Sequence, residues 1–109
     1  MSSNLKFQID FDTDVESLRR MLLEFSAYSK ITALSVVDEG HISSLLDEIK
    51  ICAYDYRPVV RAYAYKALIY AEPHQLTEIL KDALRDENPD AFKAARELHQ
   101  KIKQKAASR

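Results

Sequence analysis

The sequence predicts an all-α domain built of stacked helix pairs, and three observations predict it. A skeleton of residues recurs 31 positions apart: Leu45, Ile49, Cys52, Ala53, Asp55, Pro58 and Ala64 align with Leu76, Leu80, Ala83, Leu84, Asp86, Pro89 and Ala95. Self-similarity at that spacing marks units that bury their apolar faces against their neighbours. One glycine and three prolines in 109 residues leave few turns, which suits long helices and disfavours a sandwich or barrel of short strands. Apolar residues make up 47% and charged residues 30%, a globular composition that also excludes disorder. By the scaling of surface with mass, a chain of this size buries roughly two-thirds of its surface, enough for one core.

The chain opens with strict alternation. Leu5, Phe7, Ile9 and Phe11 are apolar and the residues between them polar, the period of an extended segment with one apolar face. No second strand pattern exists to pair with it. The arm must lie along the protein's own helices, exchange with a second copy to make a homodimer, or add to a partner's sheet edge. Thr13 and Glu16 then form a capping box that should start a helix, each side chain satisfying an orphaned backbone N–H. Leu18, Met21, Leu22 and Phe25 follow at helical spacing, and Ile31, Ala33, Leu34, Val36 and Val37 continue it. Subtracting the repeat length places Ala27 at the proline position, Lys30 opposite Arg61 and Ala33 opposite Ala64, so a break near Ser26 and Ala27 would make this stretch a degenerate first repeat.

Gly40 is expected to close that unit as a left-handed cap. The second repeat should hold helices over about 42–54 and 58–71, the third over about 73–85 and 89–105. Pro58, Pro73 and Pro89 all fall where a helix begins, the one helical position that needs no N–H. Asn88 is a good N-cap, and Asp90 in the first turn suits the helix dipole. Val60, Ala64, Ala67, Leu68 and Ala71 form the packed stripe of one helix, and Ala91, Ala95, Leu98 and Ile102 that of the other. Residues 1–13 are thus an extended arm, 14–105 the helical domain and 106–109 a basic tail.

The run Asp55-Tyr56-Arg57-Pro58-Val59-Val60-Arg61, followed by Ala64, Ala67 and Leu68, resembles a HEAT-type helical repeat of the short bacterial kind, seen also in phycobilisome-lyase-like proteins. Asp86 to Ala95 is similar, except that Phe92 stands where Arg61 would recur. The resemblance implies a short α-solenoid of about three degenerate HEAT-like helix pairs, used for binding, and by itself no activity. It also implies that second helices line the binding face. Tyr65 and Ile69 lie nearly opposite the core stripe of their helix, which makes them candidate contacts with a protein partner, together with Tyr63, Arg61 and Arg96.

A non-enzymatic protein-binding adaptor is the reading these features favour. An assembly factor related to phycobilisome-lyase-type proteins is an alternative that the resemblance implies. A nucleic-acid binder is another, because Lys93, Arg96, Lys101, Lys103, Lys105 and Arg109 make the last helix basic. Residues 1–56 carry five basic against ten acidic side chains and residues 57–109 eleven against seven, so the halves are oppositely charged. The acidic first half would repel phosphate. The scattered His41, His74 and His99 form no catalytic pattern, His74 and Glu78 suit an exposed helix turn better than a metal, and no glycine-rich phosphate loop or cofactor motif occurs. The lone Cys52 sits in an apolar pattern as a buried thiol. No signal peptide or membrane span is evident, so a cytoplasmic protein is expected.

Overall fold

A computed structural model describes residues 15–108, and every regular element within them is helical, with no strand. Helix α1 covers residues 15–23; α2 is Ala27–Val36, α3 Glu39–Cys52 and α4 Pro58–Ala67. Two short 3-10 turns, Leu68–Tyr70 and Pro73–Gln75, lead to α5, Thr77–Ala83, and α6, Pro89–Ala107. The arm residues Leu5, Phe7, Ile9 and Phe11, and the cap at Thr13, lie outside the described residues. No described helix is long and apolar enough to cross a membrane.

The break near Ser26 is present. Ser26 is extended and its hydroxyl accepts the Ser29 N–H at 3.3 Å, so α1 and α2 are separate helices. As a result α2, α4 and α6 start at Ala27, Pro58 and Pro89, each 31 residues after the last. The three prolines occupy first-turn positions as expected. Asn88 caps α6 by accepting the N–H groups of Asp90 and Ala91 at 3.0 and 3.1 Å. Asn88→Ala should cost about 1 kcal/mol, read as a lower midpoint in urea denaturation.

Three expectations are corrected. Gly40 is not a left-handed cap: no described residue has positive φ, and Gly40 sits in the first turn of α3. The junction is instead made by extended Val37 and Asp38, whose carboxylate caps α3 by accepting the Gly40 N–H at 2.9 Å. This starts α3 three residues earlier than the apolar pattern does. The helix from Pro58 tightens into a 3-10 turn after Ala67 and ends in extended Ala71. The segment from Pro73 is likewise two pieces, interrupted at Leu76, whose side chain is fully buried. Both interruptions put a leucine into the core at a helix end, where apolar burial outweighs the loss of regular hydrogen bonding.

The core runs through all six α-helices and the first 3-10 turn. Leu18, Leu22, Leu45, Ile49, Leu68, Leu76 and Leu98 are buried. So are Val60, Ala64, Ala67, Leu68 and Ala71 of the expected α4 stripe, and Ala91, Ala95 and Leu98 of α6; Ile102 is half-buried. Helix α4 is central, packing on α2, α3 and, most extensively, α6. Both helices of this pair bury alanines, Ala62, Ala64 and Ala67 in α4 and Ala91, Ala94 and Ala95 in α6, and small side chains let packed helix axes approach closely. Cys52 is buried, and burial pushes its thiol pKa up, away from reactivity. Lys105 belongs structurally to the body and not to a free tail. Its ammonium donates to the carbonyls of Ile69 and Ala71, satisfying the frayed end beyond α4.

Candidate docking surface

The turns inside the helix pairs carry the polar organisation of the molecule. In the α3–α4 turn the Asp55 carboxylate accepts the Arg57 backbone N–H at 2.9 Å, and the Arg57 guanidinium forks onto the same carboxylate at 2.9 and 3.0 Å. In the α5–α6 turn, 31 residues on, Asp86 accepts the Asn88 backbone N–H at 3.0 Å. Both aspartates therefore bend the chain in the same way immediately before a proline-started helix.

Arg61 ties the two turns together. Its guanidinium is bidentate to Asp86 at 2.7 and 3.0 Å and also donates to the carbonyls of Asp55 and Tyr56 at 2.9 and 3.1 Å. The Tyr65 hydroxyl donates to the same Asp86 carboxylate at 2.8 Å. Held by Arg61 above all, Asp86 has its pKa lowered, and Arg57 does the same for Asp55. Burial, then the bond to Asp86, pushes the Tyr65 phenol up and keeps it a neutral donor. One repeat earlier the place of Arg61 is taken by buried Lys30, whose ammonium donates to the Leu22 carbonyl at 2.6 Å. One repeat later it is taken by exposed Phe92, which ends the row.

These partners change the meaning of the expected contact residues. Tyr65 is 3% exposed and is a core residue. The single-stripe pattern leaves this position on the solvent side because a lone helix buries only one face; central α4 is flanked on several sides, so its far face is buried too. Arg61 is half-buried within the ion-pair network. Tyr63 and Ile69 are half-buried against the core, Tyr63 with the Lys66 ammonium 5.0 Å from its ring centre. Both border the groove between α4 and α6. Arg96 is exposed on α6 beside Phe92 and Gln100, away from the turns. His74 and Glu78 are both exposed and lie on different elements, the 3-10 turn and α5.

A group of exposed large apolar side chains lies elsewhere, at the turn edge. Phe25 is 80% exposed, Tyr28 79%, Tyr56 70% and Val59 49%. They stand in repeat register: Phe25 matches Tyr56, Tyr28 matches Val59, and exposed Leu23 matches exposed Tyr54. The third repeat puts Arg85, Glu87 and Asp90 at those three positions. Adjacent turns are in contact, because the Arg57 guanidinium lies 5.3 Å from the Phe25 ring centre and 4.8 Å from that of Tyr56. An apolar ridge thus crosses the first two pairs and gives way to charge at the third. The 31-residue offset, applied to Phe25 and Tyr28, would have located it from the sequence.

Beside the ridge, between the second and third pairs, lies an open notch of about 360 Å³ bordered by Tyr54, Tyr56, Tyr65, Asp82, Asp86 and Glu87. The Tyr54 hydroxyl donates to Asp82, and that bond pushes its pKa up to about 12. No family model matches the chain, and neither does any curated protein or solved structure.

Proposed function

We propose that the chain is a short α-solenoid of three degenerate HEAT-like helix pairs that acts as a non-enzymatic protein-binding module. The constant spacing of the starts of α2, α4 and α6 supports the repeat reading, as do the matched aspartate turns at Asp55 and Asp86. The observation that carries the binding reading is the exposed ridge of Phe25, Tyr28, Tyr56 and Val59. Apolar side chains exposed in register on neighbouring turns, with Arg57 stacked among them, have the composition of an interface core. Their positions contribute little to the fold, so their recurrence calls for a role outside it.

Phe25→Ala combined with Tyr28→Ala should abolish most partner capture in crosslinked affinity purification, while the melting temperature stays within a few degrees of the parent because both rings are largely in water. An unchanged set of captured proteins would reject the ridge as the docking surface.

A further inference from the structure

The notch beside the ridge has the chemistry of a receptor for a cationic side chain. Its border alternates tyrosines with carboxylates, and the carboxylates differ in how they are neutralised. Asp86 is matched by Arg61 and Asp55 by Arg57, whereas Asp82 and Glu87 form no ion pair among the described residues. Both of these are exposed, so their charge faces incoming solutes. Elsewhere along the same edge the protein shows what this combination holds. Arg57 has its guanidinium over two aromatic rings, Phe25 and Tyr56, while forked onto a carboxylate. Guanidinium is suited to such a place because it is planar, weakly hydrated and a double donor.

We propose that the notch between the second and third helix pairs receives an arginine side chain of the partner protein, with Asp82 and Glu87 supplying the countercharge and Tyr54 and Tyr56 the aromatic wall. The inference rests on the docking reading above and names the chemistry of the segment that docks: an arginine followed or preceded by apolar residues that reach the ridge. Charge complementarity favours this occupant over an anionic one, since of the four carboxylates lining the notch only Asp55 and Asp86 are paired with an arginine, leaving two unmatched.

The test uses the whole chain and two blocked amino-acid probes, N-acetyl-arginine methylamide and its citrulline counterpart, which has the same shape without the charge. In amide NMR titrations the arginine probe should give saturable shifts confined to the 54–56 and 82–87 segments, and the citrulline probe should give none. Asp82→Asn with Glu87→Gln should weaken the arginine probe about fivefold, the loss expected from two exposed ion pairs. Both substitutions are at exposed sites, so the fold is retained. Equal shifts from citrulline, or unsaturating shifts spread over every acidic patch, would overturn the proposal. Should the notch fail while the Phe25 and Tyr28 substitutions still abolish capture, the ridge stands without an arginine socket; saturable binding with capture unaffected by those substitutions would leave the notch standing alone.

Discussion

Asp86→Ala is expected to destabilise the protein by about 2–3 kcal/mol, since it strips an enclosed carboxylate from a half-buried ion pair and from its hydrogen bonds. The Asp86 side chain is only 4% exposed and has three partners. Its loss leaves the Arg61 guanidinium uncompensated, the Tyr65 hydroxyl without an acceptor in the core, and the turn before Pro89 without its Asx bond. The guanidinium accounts for most of the penalty, because desolvating an unpaired charge costs more than losing a neutral hydrogen bond. Adding Arg61→Met to the Asp86→Ala chain should therefore recover part of the loss, and Asp86→Asn, which keeps an acceptor oxygen, should cost less than alanine. Urea denaturation midpoints of the four chains measure this; a loss within about 0.5 kcal/mol for Asp86→Ala, the range of ordinary surface substitutions, would refute the clasp.

The same pair sets an acid response. In the folded state the Asp86 and Asp55 carboxylates titrate below the ordinary aspartate value of 3.8. Between the lowered and ordinary values the unfolded chain binds more protons, so stability rises with pH there. The stabilisation is complete above the ordinary value and is lost as pH falls through it toward the lowered folded values. Removing Asp86 should flatten that part of the stability profile.

Ile49→Ala is expected to cost about 2–5 kcal/mol, while Ile51→Ala, two residues away, should stay within about 0.5 kcal/mol. Both sit in α3 and both substitutions exchange the same β-branched side chain for alanine, so helix propensity changes alike. Burial is what differs: Ile49 is fully enclosed and Ile51 is 58% exposed. Deleting Ile49 leaves a cavity in the core, whereas deleting Ile51 removes a side chain already in water. Equal costs from thermal or urea unfolding would show that α3 is rotated from its described register.

Much of this arrangement was legible in the chain. Local signals decide where helices start, and Ser26, Asn88 and the prolines at 58, 73 and 89 act through bonds within a few residues. The 31-residue offset located the pair of aspartate turns for the same reason. Less local features left no such signal. Tyr65 lies on the flank of its helix that a single-stripe pattern assigns to solvent, and only the seating of α4 among α2, α3 and α6 buries it. Gly40 offered left-handed freedom that the chain does not use, because Asp38 caps the next helix at once. The interruption at Leu76 follows from a side chain drawn into the core, an event without a local breaker residue.

The candidate docking surface divides in the same way. Its ridge could be derived from the sequence, since Phe25 with Tyr56 and Tyr28 with Val59 share repeat positions. The notch could not, because Tyr54, Asp82 and Glu87 come from different turns and meet only after two helix pairs have packed. Sequence alone determined the helical class, the period and the starts of α2, α4 and α6, all governed by interactions of short range along the chain. Tertiary structure decided which faces of those helices see water and which charges remain unpaired, since both depend on neighbours far away in sequence.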